Sequence, residues 1–205
     1  MYVPKNMEMT DAEAIAIFIS KFGFGTLISP DLEATRLPLL YENAAGGKGY
    51  ILGHMARANP QWKALSGKRV SVLFNGPHSY ISPTWYVSEP AVPTWNYAQV
   101  QCFGQFIELD AADTATAIRT LIETYEPEIV NDLDLMPTDY VNRLLKAVVG
   151  FKIHVDRIDA KEKLGQHRHV DDQISVFETL ANSQNLESIQ LARYMKRRGR
   201  GNGNV

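Results

Sequence analysis

The stretch WNYAQVQCFGQFIEL, Trp95 to Leu109, alternates over nearly its whole length. Ala98, Val100, Cys102, Gly104 and Phe106 fall on one face, and Gln99, Gln101, Phe103, Gln105 and Ile107 on the other. Successive side chains of a strand point to opposite faces, so this spacing predicts one long strand with a small apolar side and an amide-rich side. The single cysteine, Cys102, sits on the apolar side, which gives it the role of a small buried residue and excludes an internal disulfide framework.

The flanks repeat the theme. Upstream, RVSVLF opens a strand, NGP turns it, HSYIS continues it, and a loop holding Pro83, Pro90 and Pro93 leads into the long strand. Downstream, Ile118, Leu121, Ile122 and Tyr125 form the apolar stripe of a helix that stops before Pro127. PTDYVNRLLKA reads as a short helix capped by Thr138, and VVGFKIHVDRIDA as a strand with Val149, Phe151, Ile153 and Val155 inward.

Nearer the start, Thr10 and Glu13 are spaced to cap a helix whose buried face is Ile15, Phe18, Ile19 and Phe22. Three short β-rich runs follow, GFGTLIS, EATRLPLLY and GYILGH, separated by Pro30-Asp31 and by the glycine-rich ENAAGGKG. Asn59 then caps a further helix with Pro60 at its first position and Gly67 past its end. From Asp171 the pattern is two helices, Asp171 to Ala181 and Leu186 to Arg197, separated by NSQN and followed by a basic end, KRRGRGNGNV, that reads as disordered. The expectation is an α+β protein, a barrel of about six antiparallel strands with flanking helices over residues 1–170, then C-terminal helices and a basic tail over 171–205.

At 205 residues and 45% hydrophobic, the chain suffices for one well-cored domain with a small appendage. Its formal net charge of -2 provides no global attraction to nucleic acid or anionic membrane, so any anion site must be local. The N-terminus lacks a basic start with a long apolar core, and no run approaches the roughly 20 apolar residues of a membrane span. A soluble cytoplasmic protein is expected.

Three constellations carry chemistry. Arg36, His54 and Arg57, with the amides of the Asn59 helix start, supply donors and positive potential suited to a phosphate; each arginine alone could equally be a surface residue paired with a carboxylate. Trp85, Tyr86, Trp95 and Tyr97 surround the proline-braced loop and could flank a flat heterocycle or pack in a core, while Asn96 and Gln99 could match the edge of a flavin. Lys163, Gln166, Arg168 and two histidines make up the loop KEKLGQHRH; His167 and His169 alone are too few for a metal site, so none is assigned. Paired cysteines, a phosphate-loop signature and a nucleophile elbow are all missing from the sequence.

MYVPK, GHMARANPQW, GPHSYISPTWY, VPTWNYAQV, GFKIHV and KLGQHRH, in that order from Met1 to about Asp172, resemble the PaiB family of FMN-binding negative transcriptional regulators. That family is similar to the pyridoxamine-phosphate-oxidase-like split barrels, homodimers that hold FMN at the subunit interface. The resemblance implies that Arg36 and Arg57 meet the flavin phosphate, with His54, Asn59 and backbone amides assisting. Leu37, Leu52 and Ala56 lie beside them in the same set. It further implies that Gln99 contacts the isoalloxazine and that Gln166 and Arg168 face the flavin cleft; Trp95, Asn96 and Lys163 join the candidate set on their residue chemistry. Ala56 and Ala58 stand where the oxidase has serine and lysine, and the arginines that grip pyridoxal phosphate have no counterpart, which argues against vitamin B6 oxidation.

The implied function is a flavin-binding negative regulator of transcription. A flavin-dependent oxidoreductase of unknown small substrate is the alternative. Haem in the same kind of barrel, with His54, His78, His167 or His169 as ligand, is a further reading. Direct DNA binding through the terminal helix pair rests on Lys196, Arg197, Arg198 and Arg200.

Overall fold

The computed structural model describes residues 1–44 and 47–204; Ala45 and Gly46 of the glycine-rich connection, and Val205, lie outside the described residues. Six strands close into an antiparallel barrel in the order β1-β2-β3-β6-β5-β4. They are β1 (Phe24–Ile28), β2 (Ala34–Glu42), β3 (Tyr50–Ala56), β4 (Arg69–Ile81), β5 (Thr94–Glu108) and β6 (Val148–Lys163). The helices are α1 (Ala12–Lys21), α2 (Ala111–Tyr125), α3 (Thr138–Leu145), α4 (Val170–Ala181) and α5 (Leu186–Arg198).

Two compact units divide the chain. One comprises Ala12–Phe74 and Gln101–Ile158; the other comprises Met1–Asp11, Asn75–Val100 and the chain from Asp159 onward.

In the first unit the inward faces of the strands build the core, with Leu27, Leu39, Ile51, Phe74 and Ile153 almost fully buried and Phe106 stacked on Phe151 at 4.8 Å. Gly53 belongs to this inner face because nothing larger fits there. A Cβ at Gly53 would lie 2.5 Å from Leu39 Cδ2 and 2.6 Å from Phe151 Cζ. Cys102 is buried on the same face of β5 as Val100 and Phe106, as the alternation predicts.

In the second unit α4 and α5 bury Val176, Leu180, Leu191 and Met195. The basic end is not a loose tail: Arg198 and Arg200 reach the carboxylate of Glu162, and Asn202 is 2% exposed. Gly199 caps α5 in the left-handed conformation, and Gly201 continues with φ 72° where a Cβ would meet the Leu164 carbonyl oxygen at 2.1 Å. A run rich in glycine and arginine is disordered only if nothing takes its charges, and here a buried carboxylate does.

Three further expectations are corrected. Asn75-Gly76-Pro77 does not turn the chain; β4 runs straight through it, but its buried positions change from Val70, Val72 and Phe74 to Pro77, Ser79 and Ile81. A change of parity within one strand is what a bulge produces. The helix expected after Asn59 is a five-residue 3-10 turn, Pro60–Ala64. Finally, α3 takes Thr138 as its first helical residue after Pro137 and has no side-chain cap.

Candidate functional site

The sequence-predicted residues fall into two groups, one in each unit. In the unit of Ala12–Phe74, β2 turns Leu37 and Leu39 inward and Arg36 outward. Leu37 therefore contributes packing to the core. On β3, Ile51, Gly53 and Met55 are inward, so Leu52, His54 and Ala56 share the outer face. With Leu40 paired to Leu52, Arg36 and His54 belong to the same outer surface of the β2–β3 pair. Arg36 donates from Nη2 to the Phe24 carbonyl at 3.3 Å, and its guanidinium lies 4.6 Å from the Phe24 ring. Burial holds the His54 imidazole below its usual range, which keeps it neutral near pH 7.

Arg57 is placed differently. Its Nε donates to the Lys146 carbonyl at 3.0 Å and its Nη2 to the Val148 carbonyl at 2.8 Å. The guanidinium thus ties the end of β3 to the connection between α3 and β6. Asn59 is also engaged: Oδ1 accepts from the Gln61 amide at 3.0 Å, and Nδ2 donates to the Thr35 hydroxyl at 3.2 Å. Thr35 in turn donates to Gln61 Oε1 at 2.7 Å, and Gln61 Nε2 donates to the Glu33 carbonyl at 3.0 Å. The first amide of the turn is capped by its own Asn59, and a 3-10 turn this short presents no helix dipole. Arg57 and Asn59 thus hold backbone and side-chain partners within the chain, and Arg36 and His54 form an outward polar pair beside them. Sequence reasoning missed buried Gln61; its only signal is an amide just after the Asn-Pro start.

In the other unit, β5 points Asn96 inward, 2% exposed, while Trp95 and Gln99 face outward. Asn96 and Gln99 are three residues apart, so the strand cannot present both amides on one side. Trp95 stands half exposed with its ring 6.0 Å from His78 and 6.1 Å from Tyr80. Asn96 Nδ2 is buried with no hydrogen-bond partner among the described residues, and Gly165 lies against it: a Cβ there would be 3.6 Å from Nδ2.

The loop from Lys163 to Arg168 approaches the same place. Lys163 donates to the Thr94 hydroxyl. Gln166 is fully used: Nε2 donates to the carbonyls of Glu162 at 2.6 Å and Asn6 at 3.0 Å, and Oε1 accepts from the Leu164 amide at 2.8 Å. It shapes the loop rather than offering a free amide. The Arg168 guanidinium lies 4.4 Å from the Tyr86 ring. Burial, then the charges of Arg168 and Lys163, hold His167 below its ordinary range.

Two carboxylates that sequence reasoning missed organise this unit. Glu162, fully buried, accepts from Arg198 Nε at 2.6 Å, Arg200 Nη1 at 3.3 Å and the Tyr194 hydroxyl at 2.5 Å. Asp172 accepts from the amides of Val87 and Ser88 at 2.8 and 2.9 Å and from the Ser88 hydroxyl at 2.5 Å. The proline-braced loop is thereby latched to the first turn of α4.

Among the described residues no three His, Cys, Asp or Glu side chains converge as metal ligands, and no helix is long and apolar enough to cross a membrane.

The chain is similar to known proteins along most of its length. The profile of the family described as "Putative FMN-binding domain" matches residues 1–157. The protease synthase and sporulation protein PAI 2 of Bacillus subtilis is 38% identical over 202 residues, covering 96% of this chain and 97% of that one. A fungal relative, the uncharacterized protein AN0679 of Emericella nidulans, is 31% identical, with 74% and 77% of the two chains covered. Among solved structures, the flavocytochrome Anf3 of Azotobacter vinelandii superposes with a TM-score of 0.61 at 12% identity, covering 80% of this chain and 73% of that one. The FAD and heme binding protein of Mycobacterium smegmatis gives 0.58 at 15% identity, covering 78% and 74%. At those identities the structures establish a shared barrel fold. The profile match, with a relative aligned nearly end to end, establishes the rest: the chain belongs to the PaiB family of FMN-binding domains.

Proposed function

We propose that this protein binds FMN as a homodimer in the cytoplasm and acts as a flavin-dependent negative regulator of transcription. The observation that carries the flavin part is the orphaned amide of Asn96. A buried donor without a partner costs about 1–3 kcal/mol, so a fold that retains one beside a glycine has room and reason for an external acceptor. A flavin ring offers carbonyl and ring-nitrogen acceptors of the right kind. Within the other unit, Arg36, outward and without a carboxylate partner among the described residues, offers its donors to a phosphate, with neutral His54 as its neighbour. When bound, FMN would supply one- or two-electron redox chemistry; the chain's own residues bind, orient and shield it.

The test begins with the visible spectrum of the purified protein and a titration with FMN. A flavin absorbance that saturates at one FMN per chain is expected, and Arg36→Ala should weaken it about tenfold or more. A haem spectrum, or no uptake of FMN, would overturn the reading. Turnover of bound flavin by NAD(P)H and a small acceptor would instead favour the oxidoreductase alternative.

The regulatory part is supported by the α4–α5 pair. On α5, Gln190, Arg193, Lys196 and Arg197 are exposed, and among the described residues no ion pair engages these three cations, whereas Arg198 and Arg200 are held by Glu162. A joint Arg193→Ala, Lys196→Ala and Arg197→Ala variant should abolish a salt-sensitive shift of promoter DNA while leaving FMN binding unchanged. A wild-type protein that shifts no DNA at low salt would remove direct binding from the proposal.

A further inference from the structure

From Ile118 to Val148 the structure buries no residue at all, although α2 and α3 carry apolar stripes there. The apolar stripe Ile118, Leu121, Ile122 and Tyr125 is not the face that α2 packs; the helix buries Thr114 and Ala117 instead. Across from it, α3 presents Val141 and Leu145 and has no buried residue. Between these facing stripes lies a hollow of about 260 Å3 that Leu133 and Met136 of the connecting segment also line. Leu133, in its lining, is 68% exposed, and Leu135 and Leu144 of the same segment and helix are 59% and 50% exposed. An isolated exposed leucine needs no explanation, but a continuous apolar patch around a hollow marks a contact surface.

The charge of the patch says what covers it. Residues 118–148 hold six carboxylates against three cations, a net charge of -3 in a chain whose total is -2. Glu126, Glu128, Asp132 and Asp134 are exposed on the connecting segment that supplies Val130, Leu133 and Met136 to the hollow, and they make its acidic rim. Of the cations, Arg119 is engaged, donating from Nε to Glu123 and from Nη2 to Asn131. A second copy docked by two-fold symmetry would set this rim against itself.

We propose that the α2–α3 hairpin is a docking groove for a basic amphipathic helix of a partner protein. The partner's apolar side chains would enter the hollow at helical spacing and its lysines or arginines would meet the acidic rim. Nothing in the flavin reading assigns or requires this surface.

The probe is a fluorescein-labelled amphipathic peptide of leucine and lysine, with its leucine–glutamate counterpart as control, followed by anisotropy on the full chain. The lysine peptide should bind, lose affinity with salt and be favoured over the glutamate peptide. Glu126→Lys with Glu128→Lys and Asp134→Lys should weaken it about tenfold or more. Asp132 is kept because its carboxylate holds the amides of Asp134 and Leu135. Leu133→Ser, an exposed lining position whose change leaves the melting temperature unchanged, should weaken it to a similar degree. The proposal falls if the lysine peptide does not bind, if both peptides bind alike, or if the serine variant binds as wild type does. It also falls if the serine variant loses one copy's mass in sedimentation, because a second chain then covers the groove.

Discussion

Glu162 shows how much one residue can hold. Its carboxylate is fully buried, takes donors from Tyr194, Arg198 and Arg200, and its carbonyl accepts from Gln166. Burial and the neighbouring carboxylate push the Tyr194 phenol far up, so it stays a donor at every accessible pH. Replacing Glu162 by Gln leaves two guanidinium groups without their counter-charge, and both retain some water, so a loss of about 3 kcal/mol is expected from the denaturant midpoint. Gly53→Ala tests the barrel interior: the added methyl meets Leu39 and Phe151, and a loss of about 1–3 kcal/mol is expected in the same measurement. The two phosphate arginines should separate. Arg57→Ala removes two bonds to backbone carbonyls and should lower stability by about 1–2 kcal/mol with little change in FMN affinity; Arg36→Ala should do the reverse. Residue types at these positions were legible in the sequence, but their partners were not. Gln166 was chosen for its amide, yet what it bonds includes Asn6, 160 residues away, and no local pattern carries that.

Among the elements, the strands were the most legible because a period of two over many residues admits no other reading. β5 shows this best, since every position assigned inward from Ala98 to Phe106 is buried. Shorter segments failed for a physical reason: Asn-Pro starts a 3-10 turn and an α-helix with the same cap, and only the continuation distinguishes them. The α2 stripe failed because periodicity identifies a face but not what lies opposite it. The latch between the 82–93 loop and α4 has a pH signature. Burial alone would raise the Asp172 carboxyl, but the Ser88 hydroxyl, the amides of Ser88 and Val87, and Arg168 outweigh it and hold it below the ordinary carboxylate range. A group depressed in the folded state contributes stability above its unfolded value, about 3.9, and loses it as pH falls through the lower folded value. Melting temperature should therefore drop in acid below about pH 4, and Asp172→Asn should be less stable at pH 7 with a flatter acid limb.

For the whole molecule, the closed six-stranded barrel was foreseeable from alternation, hairpin signals and the run of family motifs. The two compact units were not, because each is assembled from segments far apart in sequence. The C-terminal end makes the same point. Truncation after Met195 would look from sequence like the trimming of a basic tail, but it removes both arginines from Glu162. Such a chain should melt several degrees lower, whereas alanines at Arg193, Lys196 and Arg197 should leave the melting temperature unchanged. The parity change in β4 has a consequence for insertions and deletions. Up to Phe74 the even positions are inside, and from Pro77 the odd ones are. Loss of Gly76 alone would remove the extra residue and restore a strict period of two, leaving Pro77, Ser79 and Ile81 in step with Val70, Val72 and Phe74. In this strand the frameshift in space is already built in: one residue lost at that point cancels it, whereas loss of both Asn75 and Gly76 would turn Ser79 and Ile81 out to water.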